Sequence, residues 1–497
     1  MNRIFTHFKY LCLLFIIIFI ASCNKEEKPN IVLIMADDLG WTDLSYMGSA
    51  YYETPNIDKL SKSGMTFYNA YASAANCAPS RASMMTGKYH PDHGIYTVSP
   101  SDRGIEKTRK IIPTINTENL DLDFFLIPEM LKSEGYINAH VGKWHLGSKG
   151  FYPEQNGFDI NIGGWEKGSP KGGYFSPYKN PKLEDGPKGE YLTDRLADEA
   201  IKFIDQNKKK PFFLHLSFHS VHTPIQAKKE YQEKYSKKNG DENHNRSDYA
   251  GMINSLDENI GRVLNKIEKL GLSENTLIIF TSDNGGIRSI SNQYPLRAGK
   301  GSYYEGGIRV PLIFSWHGKI TAETKSYERV SNIDFYPTIK NVIDHNNENL
   351  ELDGVDLNPI FEGKNLKKRA LFFHFPIYLE AYNVRKDDGR DPLFRTRPGS
   401  VIIKDNWKLH HYFEDNGLEL YNIDNDVSES KDLSKKNKEK TKELFDDLKK
   451  WREDKNAPIP SDKNPKYNQK FVDSLIFLIK DKKLSGRVKG LIRGLDH

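Results

Sequence analysis

Asn30-Ile31-Val32-Leu33-Ile34-Met35-Ala36-Asp37-Asp38 is the stretch that decides the fold, a continuous apolar run rich in β-branched residues that stops at two acids. A run of this kind, without polar alternation, marks a strand buried on both faces of a parallel sheet. Three more segments follow the same plan. Tyr136 to Val141 leads into Gly142-Lys143-Trp144-His145, Pro211 to Phe218 leads into His219 and His222, and Leu277 to Ser282 leads into Asp283-Asn284. Ligands of open α/β sheets sit beyond the carboxyl ends of the strands, so these polar clusters are expected to share one crevice.

Helical patterns lie between the strands, as a large, mostly parallel sheet sandwiched by helices requires. Thr54-Pro55 reads as an N-cap and first-turn proline, with Gly64 closing that helix. From about Asp248 to Leu270, Met252, Ile253, Leu256, Ile260, Val263, Leu264 and Ile267 recur at helical spacing after Ser247 as N-cap. The charged stretch Lys228 to Arg246 reads as a solvated insertion. Later the pattern changes to short strand-like runs at Ala370–Phe375, Ser400–Ile403, Trp407–Tyr412 and Leu418–Tyr421, which predict a smaller antiparallel sheet. A helix over Lys438–Trp451 follows. The tail from Phe471 to Leu495 mixes apolar and basic residues at near-helical spacing and is expected to pack on the domain. The expected division is an α/β domain over 30–380 and an α+β subdomain with tail over 381–497.

The 497 residues carry a formal net charge of only +5, with acids and bases interspersed, so no nucleic-acid-binding face is announced. At the N-terminus, Arg3 and Lys9 precede an apolar run from Tyr10 to Ile20. That run is short of the roughly 20 residues that span a bilayer, so a secretory signal is the better reading than a membrane anchor. Ile20-Ala21-Ser22-Cys23 resembles the lipobox of bacterial lipoproteins. The expectation is a signal peptide over 1–22, a lipidated Cys23, a tether over 23–29, and an exported protein anchored at a bacterial membrane, periplasmic or surface-facing. Cys12 leaves with the signal and Cys23 takes lipid, which leaves Cys77 as one unpaired thiol in an oxidising compartment. A spare reactive thiol there is a liability and asks for a reason.

Asp37, Asp38, Asp283 and Asn284 form an all-oxygen set of the kind that hard cations select, whereas zinc favours histidine or cysteine. A single acid in such a place is more often a cap or a turn residue; two pairs at matching strand ends point to a metal. Asn76-Cys77-Ala78-Pro79-Ser80-Arg81 opens a short helix that closes at Gly87. A nucleophile there, and an anionic substrate with it, meets the positive end of the helix dipole.

Cys77-Ala-Pro-Ser-Arg81 resembles the C-x-P-x-R signature of the type I sulfatases of the alkaline phosphatase superfamily. The resemblance extends through Asn30–Gly40, Gly142-Lys-Trp-His-Leu-Gly147, Ser282-Asp-Asn-Gly-Gly286 and Gly299–Arg309, in the family's order, across about 30 to 430. It implies an alkaline-phosphatase-like fold, a calcium ion on Asp37, Asp38, Asp283 and Asn284, and oxidation of Cys77 to formylglycine (3-oxoalanine) by a maturation enzyme. It also implies that Arg81 holds the formylglycine, and that Lys143, His145, His222 and Lys300 clamp sulfate and move protons. His222 or Lys300 would protonate the leaving alcohol, and His145 would take a proton as the aldehyde reforms. His219 reads as a packed core histidine and is left out.

The resemblance to exported bacterial carbohydrate sulfatases implies a sulfated carbohydrate substrate, such as an algal galactan or a glycosaminoglycan fragment. Arg385, Arg390, Arg395 and Arg397 could contact an anionic glycan or simply be solvated. Two other readings stand beside this one: a phosphonate or phosphodiester hydrolase with the same site, and a catalytically silent glycan-binding lipoprotein.

Overall fold

The computed structural model describes residues 28–346, 350–481, 483–484 and 486–487. The expected signal peptide, Cys23 and the tether up to residue 27 lie outside the described residues, as does most of the tail beyond 481. Among the described residues no helix is long and apolar enough to cross a membrane.

Eight strands form the main sheet: β1 Asn30–Ala36, β2 Met65–Phe67, β3 Ile137–Gly142, β4 Ile160–Ile162, β5 Phe212–Ser217, β6 Thr276–Ser282, β7 Leu312–Ser315 and β8 Thr324–Ser326. Their order is β4-β3-β5-β1-β6-β7-β2-β8. Every pairing from β4 to β6 is parallel, β7 runs antiparallel to both its neighbours, and β2 pairs parallel with β8. Met35 and Gly142 both pair with Ser217, and Ala36 pairs with Ser282. The carboxyl ends of β3, β5, β1 and β6 therefore stand nearly flush, which is what delivers the residues that follow them to one place.

The two-residue period of β1 divides the core. Val32, Ile34 and Ala36 enter one hydrophobic cluster, covered by helices α1 Pro55–Lys62, α4 Leu192–Asn207 and α5 Ser247–Lys269. Ile31, Leu33 and Met35 enter the other, covered by α2 Cys77–Thr86, α3 Ile127–Ser133 and α6 Phe335–Val342. Each such side chain, fully buried, contributes roughly 1.5–3 kcal/mol of transfer free energy.

Four antiparallel strands, β9 Ala370–Phe375, β10 Gly399–Lys404, β11 Trp407–Tyr412 and β12 Gly417–Asn422, make the smaller sheet. One face packs on helix α7 Lys438–Asp454 through Ile402, Leu409 and Leu420 against Leu444, Leu448 and Trp451. The other face packs Phe373, Phe375 and Val401 against Tyr71, Tyr303 and Ile308. The first strand of this sheet precedes the expected division at 380/381.

Three local expectations need correction. Arg246, not Ser247, caps α5; Ser247 is its first helical residue. Lys228 to Arg246 is not wholly a solvated insertion, because Lys229–Ser236 is helical and buries Tyr235, whose hydroxyl lies 3.1 Å from Asn254 Oδ1. Thr54 stands at the α1 N-cap, but its hydroxyl donates to Asp58 Oδ1 at 3.0 Å instead of accepting from the helix backbone. The described part of the tail forms α8 Gln469–Lys480, which packs Val472, Leu475 and Ile479 against Tyr378, Leu393 and Phe394.

Candidate active site

Asp37 and Asp38 leave the end of β1, Asp283 and Asn284 the end of β6, and Lys143 the end of β3. Cys77 is the first residue of α2, with Arg81 one turn further on. All seven are buried, as is Lys300 from the loop after β6. Cys77 Sγ lies 3.6 Å from Asp37 Oδ1, 4.0 Å from Asp38 Oδ1 and 3.2 Å from Lys300 Nζ. Lys143 Nζ stands 2.7 Å from Asp37 Oδ2, and Lys300 Nζ 2.6 Å from Asp38 Oδ1. Arg81 binds Asp283 Oδ2 through Nε and Nη2 at 2.9 and 2.8 Å, and its Nη1 donates to the Lys143 carbonyl at 2.9 Å and to Ser217 Oγ at 2.6 Å. One guanidinium thus ties together the ends of β3, β5 and β6 below Cys77.

Lys143 reaches this position because Gly142 has a left-handed backbone with φ +107, and a Cβ there would lie 1.9 Å from the Ser217 carbonyl. That same carbonyl accepts from Lys143 N at 2.8 Å. Any other residue would push β3 and β5 apart just where the lysine turns inward.

Three carboxylates face three cations, and burial sets the electrostatics. Burial pushes Asp37 up, with Asp283 and Asp38 adding to the effect against the pull of Lys143. Burial also raises Asp38, but Lys300, His222 and Lys143 outweigh it and hold that carboxyl well below the usual range. Asp283 is likewise held low, by Arg81 and then Lys143, against its burial. Burial pushes the Cys77 thiol up to about 12, more than Lys143 and Lys300 lower it, so an unmodified thiol stays protonated at neutral pH.

Oxygens from Asp37 and Asp38, Cys77 Sγ and a His222 ring nitrogen lie within 4.8 Å of one another. Asn284 Nδ2 donates to Asp38 Oδ1 at 2.9 Å, while the buried Asn284 Oδ1 has no partner. Crowded acids, an orphaned amide oxygen and the oxygen-rich donor set fit a hard divalent cation, and Lys143 and Lys300 pair with two of the same carboxylates.

Of the residues expected from the sequence, Asp37, Asp38, Cys77, Arg81, Lys143, Asp283, Asn284 and Lys300 form this cluster and His222 lies against it. His222 Nε2 is 3.7 Å from Asp38 Oδ2, and its Nδ1–H donates to the Thr223 carbonyl at 2.6 Å. Burial and then Lys300 lower His222 to about 3, against the pull of Asp38. His145 makes no hydrogen bond to the cluster and its Nδ1 is unpaired. It is held far below the usual imidazole range by burial and then by Lys143 and Arg81. His219, left out of the expected site, is buried with both ring nitrogens unpaired and senses Lys143 and Arg81.

Sequence reasoning missed Ser217, whose hydroxyl accepts from Arg81 and donates to the Lys143 carbonyl at 2.8 Å. A polar residue ending an apolar strand was the available signal. It also missed Arg103 and Tyr382, isolated in polar loops. Of the four arginines considered, Arg390 pairs with Asp415 and Glu419, Arg397 with Asp391 and Glu414, and the exposed Arg385 with the Leu484 carbonyl. Only Arg395 approaches the site, donating to the Lys300 carbonyl at 2.9 Å.

The family model described as Sulfatase matches residues 29–345, and that described as N-sulphoglucosamine sulphohydrolase, C-terminal, matches 299–456. A relative from Formosa agariphila described as a sulfatase is 35% identical, covering 83% of this chain and 86% of the relative. Human N-acetylgalactosamine-6-sulfatase is 30% identical over 71% of this chain and 70% of its own length. The crystal structure of Ps i-CgsB is similar with a TM-score of 0.70 at 33% identity, covering 86% of this chain and 93% of that one, and another structure of it holds k-i-k-neocarrahexaose. Phosphonate monoester hydrolase of Agrobacterium radiobacter, at 20% identity and a TM-score of 0.64, shares the fold.

Proposed function

This chain belongs to the sulfatase family and is a sulfuric ester hydrolase, and on that premise we propose that it cleaves O-sulfate esters of sulfated carbohydrate through formylglycine at position 77. The observation that carries the proposal is the placement of Cys77 Sγ, 3.2 Å from the Lys300 ammonium and within 4.0 Å of both Asp37 and Asp38. The raised thiol supports it too, since a protonated buried thiol is a poor nucleophile and maturation removes it.

Asp37, Asp38, Asp283 and Asn284 are the residues that would hold calcium. Bound calcium and the hydrated aldehyde supply, respectively, polarisation of a sulfate oxygen and a hydroxyl nucleophile. Arg81 fixes the helix that carries position 77 against Asp283. Lys143 and Lys300 present ammonium charge to the sulfate oxygens, where preorganised cations stabilise the developing charge. His222 Nδ1–H is committed to the Thr223 carbonyl and the ring is held neutral, so Nε2 carries no proton to give and, of the two expected donors, Lys300 protonates the leaving alcohol. His145, kept uncharged by burial and neighbouring cations, is the base for the step that releases sulfate.

The carbohydrate class is supported by the relatives, among them N-acetylgalactosamine-6-sulfatase and the carrageenan-oligosaccharide complex of Ps i-CgsB. Export, lipid attachment at Cys23 and a separate formylglycine-generating enzyme complete the proposal, supported by the sequence of residues 3–23 and by the Cys77 motif. The mass of the peptide containing residue 77, from protein made with the maturation enzyme, tests it together with desulfation of defined oligosaccharides. Loss of the thiol and release of inorganic sulfate are expected. An unmodified, fully active Cys77, or faster turnover of phosphate diesters than of matched sulfate esters, would overturn it.

A further inference from the structure

Arg395 and Arg103 stand beside the sulfatase cluster without an ion-pair partner among the described residues. Arg395 is 3% exposed. Its Nη1 donates to the Lys300 carbonyl and its Nε to the Glu380 carbonyl, each at 2.9 Å, while its buried Nη2 has no partner at all. The guanidinium stacks 3.5 Å over the Tyr382 ring. It fits there because Gly301, at φ +85, has no side chain; a Cβ on Gly301 would lie 2.3 Å from Arg395 Nη1. Arg103 donates only to the carbonyls of Val98 and Ser99.

The electrostatics of the neighbours are consistent with cations close together. Burial and then Arg395 hold the Arg103 guanidinium below its ordinary value. The half-buried Tyr382 is raised by desolvation, yet Arg395 and Lys300 outweigh that and lower it. Asp387 and Glu380 act on these guanidiniums only from beyond ion-pair distance, and a planar guanidinium with an unused N–H edge suits an oxyanion. Arg390 and Arg397, in contrast, are each neutralised by two acids.

We propose that Arg395 and Arg103, with Tyr382 beneath Arg395, form a second anion subsite that binds a further negatively charged substituent of the sugar, a second sulfate ester or a carboxylate. The proposal rests on the sulfatase reading and deepens it. Arg395 bonds the Lys300 carbonyl, whereas the Lys300 ammonium bonds Cys77 and Asp38, so Arg395 is held at the opposite end of that lysine from position 77. That offset assigns it to a substituent other than the one that reacts.

The test uses three saccharides: a neutral disaccharide with one sulfate, the same disaccharide with a second sulfate, and a monosulfated disaccharide containing a uronate. Turnover is measured for matured enzyme and binding for Cys77→Ala protein, in otherwise wild-type, Arg395→Met and Arg103→Met backgrounds. A charge-assisted hydrogen bond is worth about 1.5–3 kcal/mol, so wild type should favour a two-anion substrate by about ten- to a hundredfold in kcat/KM and in Kd. Whichever second anion is preferred identifies the substituent. Each Met variant should bring that ratio towards one, with the loss in KM and Kd, and Arg395→Lys should restore part of it. A variant that merely disturbs Lys300 lowers all three substrates alike and leaves the ratio intact. That outcome for both arginines, or the absence of any two-anion preference in the wild type, overturns the subsite. If no sulfate ester is hydrolysed the sulfatase reading fails, whereas the binding ratio in Cys77→Ala protein still decides the subsite.

Discussion

The Lys300 ammonium lies 3.2 Å from Cys77 Sγ and 2.6 Å from Asp38 Oδ1, so one cation joins the candidate nucleophile to the acid cluster. Lys300 is more than 200 positions from both in the chain. Lys300 is placed by a loop whose following helical turn is fastened to the smaller sheet, where Lys408 Nζ lies 2.9 Å from both Glu305 Oε1 and Glu429 Oε1. The site is thus completed from outside the main sheet.

Cys77→Ala should abolish sulfate ester turnover, a loss of at least about 10³-fold, because no nucleophile remains for covalent catalysis. The substitution removes one buried sulfur whose polar partners are the Asp37, Asp38 and Lys300 side chains, so the circular dichroism spectrum and the calcium response should persist. Substantial residual turnover would contradict a covalent mechanism.

Chelation should inactivate the enzyme, and calcium should restore it better than zinc, since the donors are carboxylate and amide oxygens. The same ion should raise thermal stability, by about 2.7 kcal/mol at a hundredfold excess over Kd. A calorimetric scan with and without chelator checks this independently of activity; stabilisation by zinc but not by calcium would refute the oxygen-ligand assignment.

Arg81→Met should destabilise chelated protein by about 3–5 kcal/mol, the cost of leaving Asp283 buried without its cation. Arg81 is 1% and Asp283 0% exposed, so solvent screening offers little relief. Urea midpoints measure the change, and a shift below about 1 kcal/mol would show that another group, such as Lys143 at 4.0 Å from Asp283, takes over.

Acid should destabilise the fold through its buried histidines. Burial lowers His374 and His140 to about 3 and His90 to about 4. In the unfolded chain these imidazoles take a proton near pH 6.5, whereas in the folded chain they stay neutral. Between those limits the unfolded state binds more protons, so stability falls as pH drops from 6.5, by up to about 1.4 kcal/mol per unit for each histidine. His374, which hydrogen-bonds Ser400 Oγ at 2.8 Å and the Pro458 carbonyl at 3.0 Å, isolates the effect. Urea denaturation at pH 7.5, 6 and 5 should show a shallower pH slope for His374→Gln; an unchanged slope would assign the acid sensitivity elsewhere.

Much of the architecture was legible because buried parallel strands must be apolar throughout, and the runs ending at Ala36, Val141, Phe218 and Ser282 could be little else. Their flush carboxyl ends follow from the pairing of Met35 and Gly142 with Ser217, so the acids, the lysine and the histidines after them converge. The Lys229–Ser236 helix was not legible, since its surface is charged and a single tyrosine anchors it. Ser217 was passed over because a serine at the end of an apolar strand is a weak signal until the arginine it bonds is known.

The sequence by itself determined which residues meet, because strand ends and a helix start are fixed by local chemistry. Tertiary structure alone decided what each then experiences. Four arginines in one loop look alike in sequence, yet the fold brings acids into ion-pair contact with Arg390 and Arg397 and none into such contact with Arg395, because counter-ions are set by how strands and turns fold together. Charge balance at a buried site is a property of distance, and distance between remote segments exists only once the chain has folded.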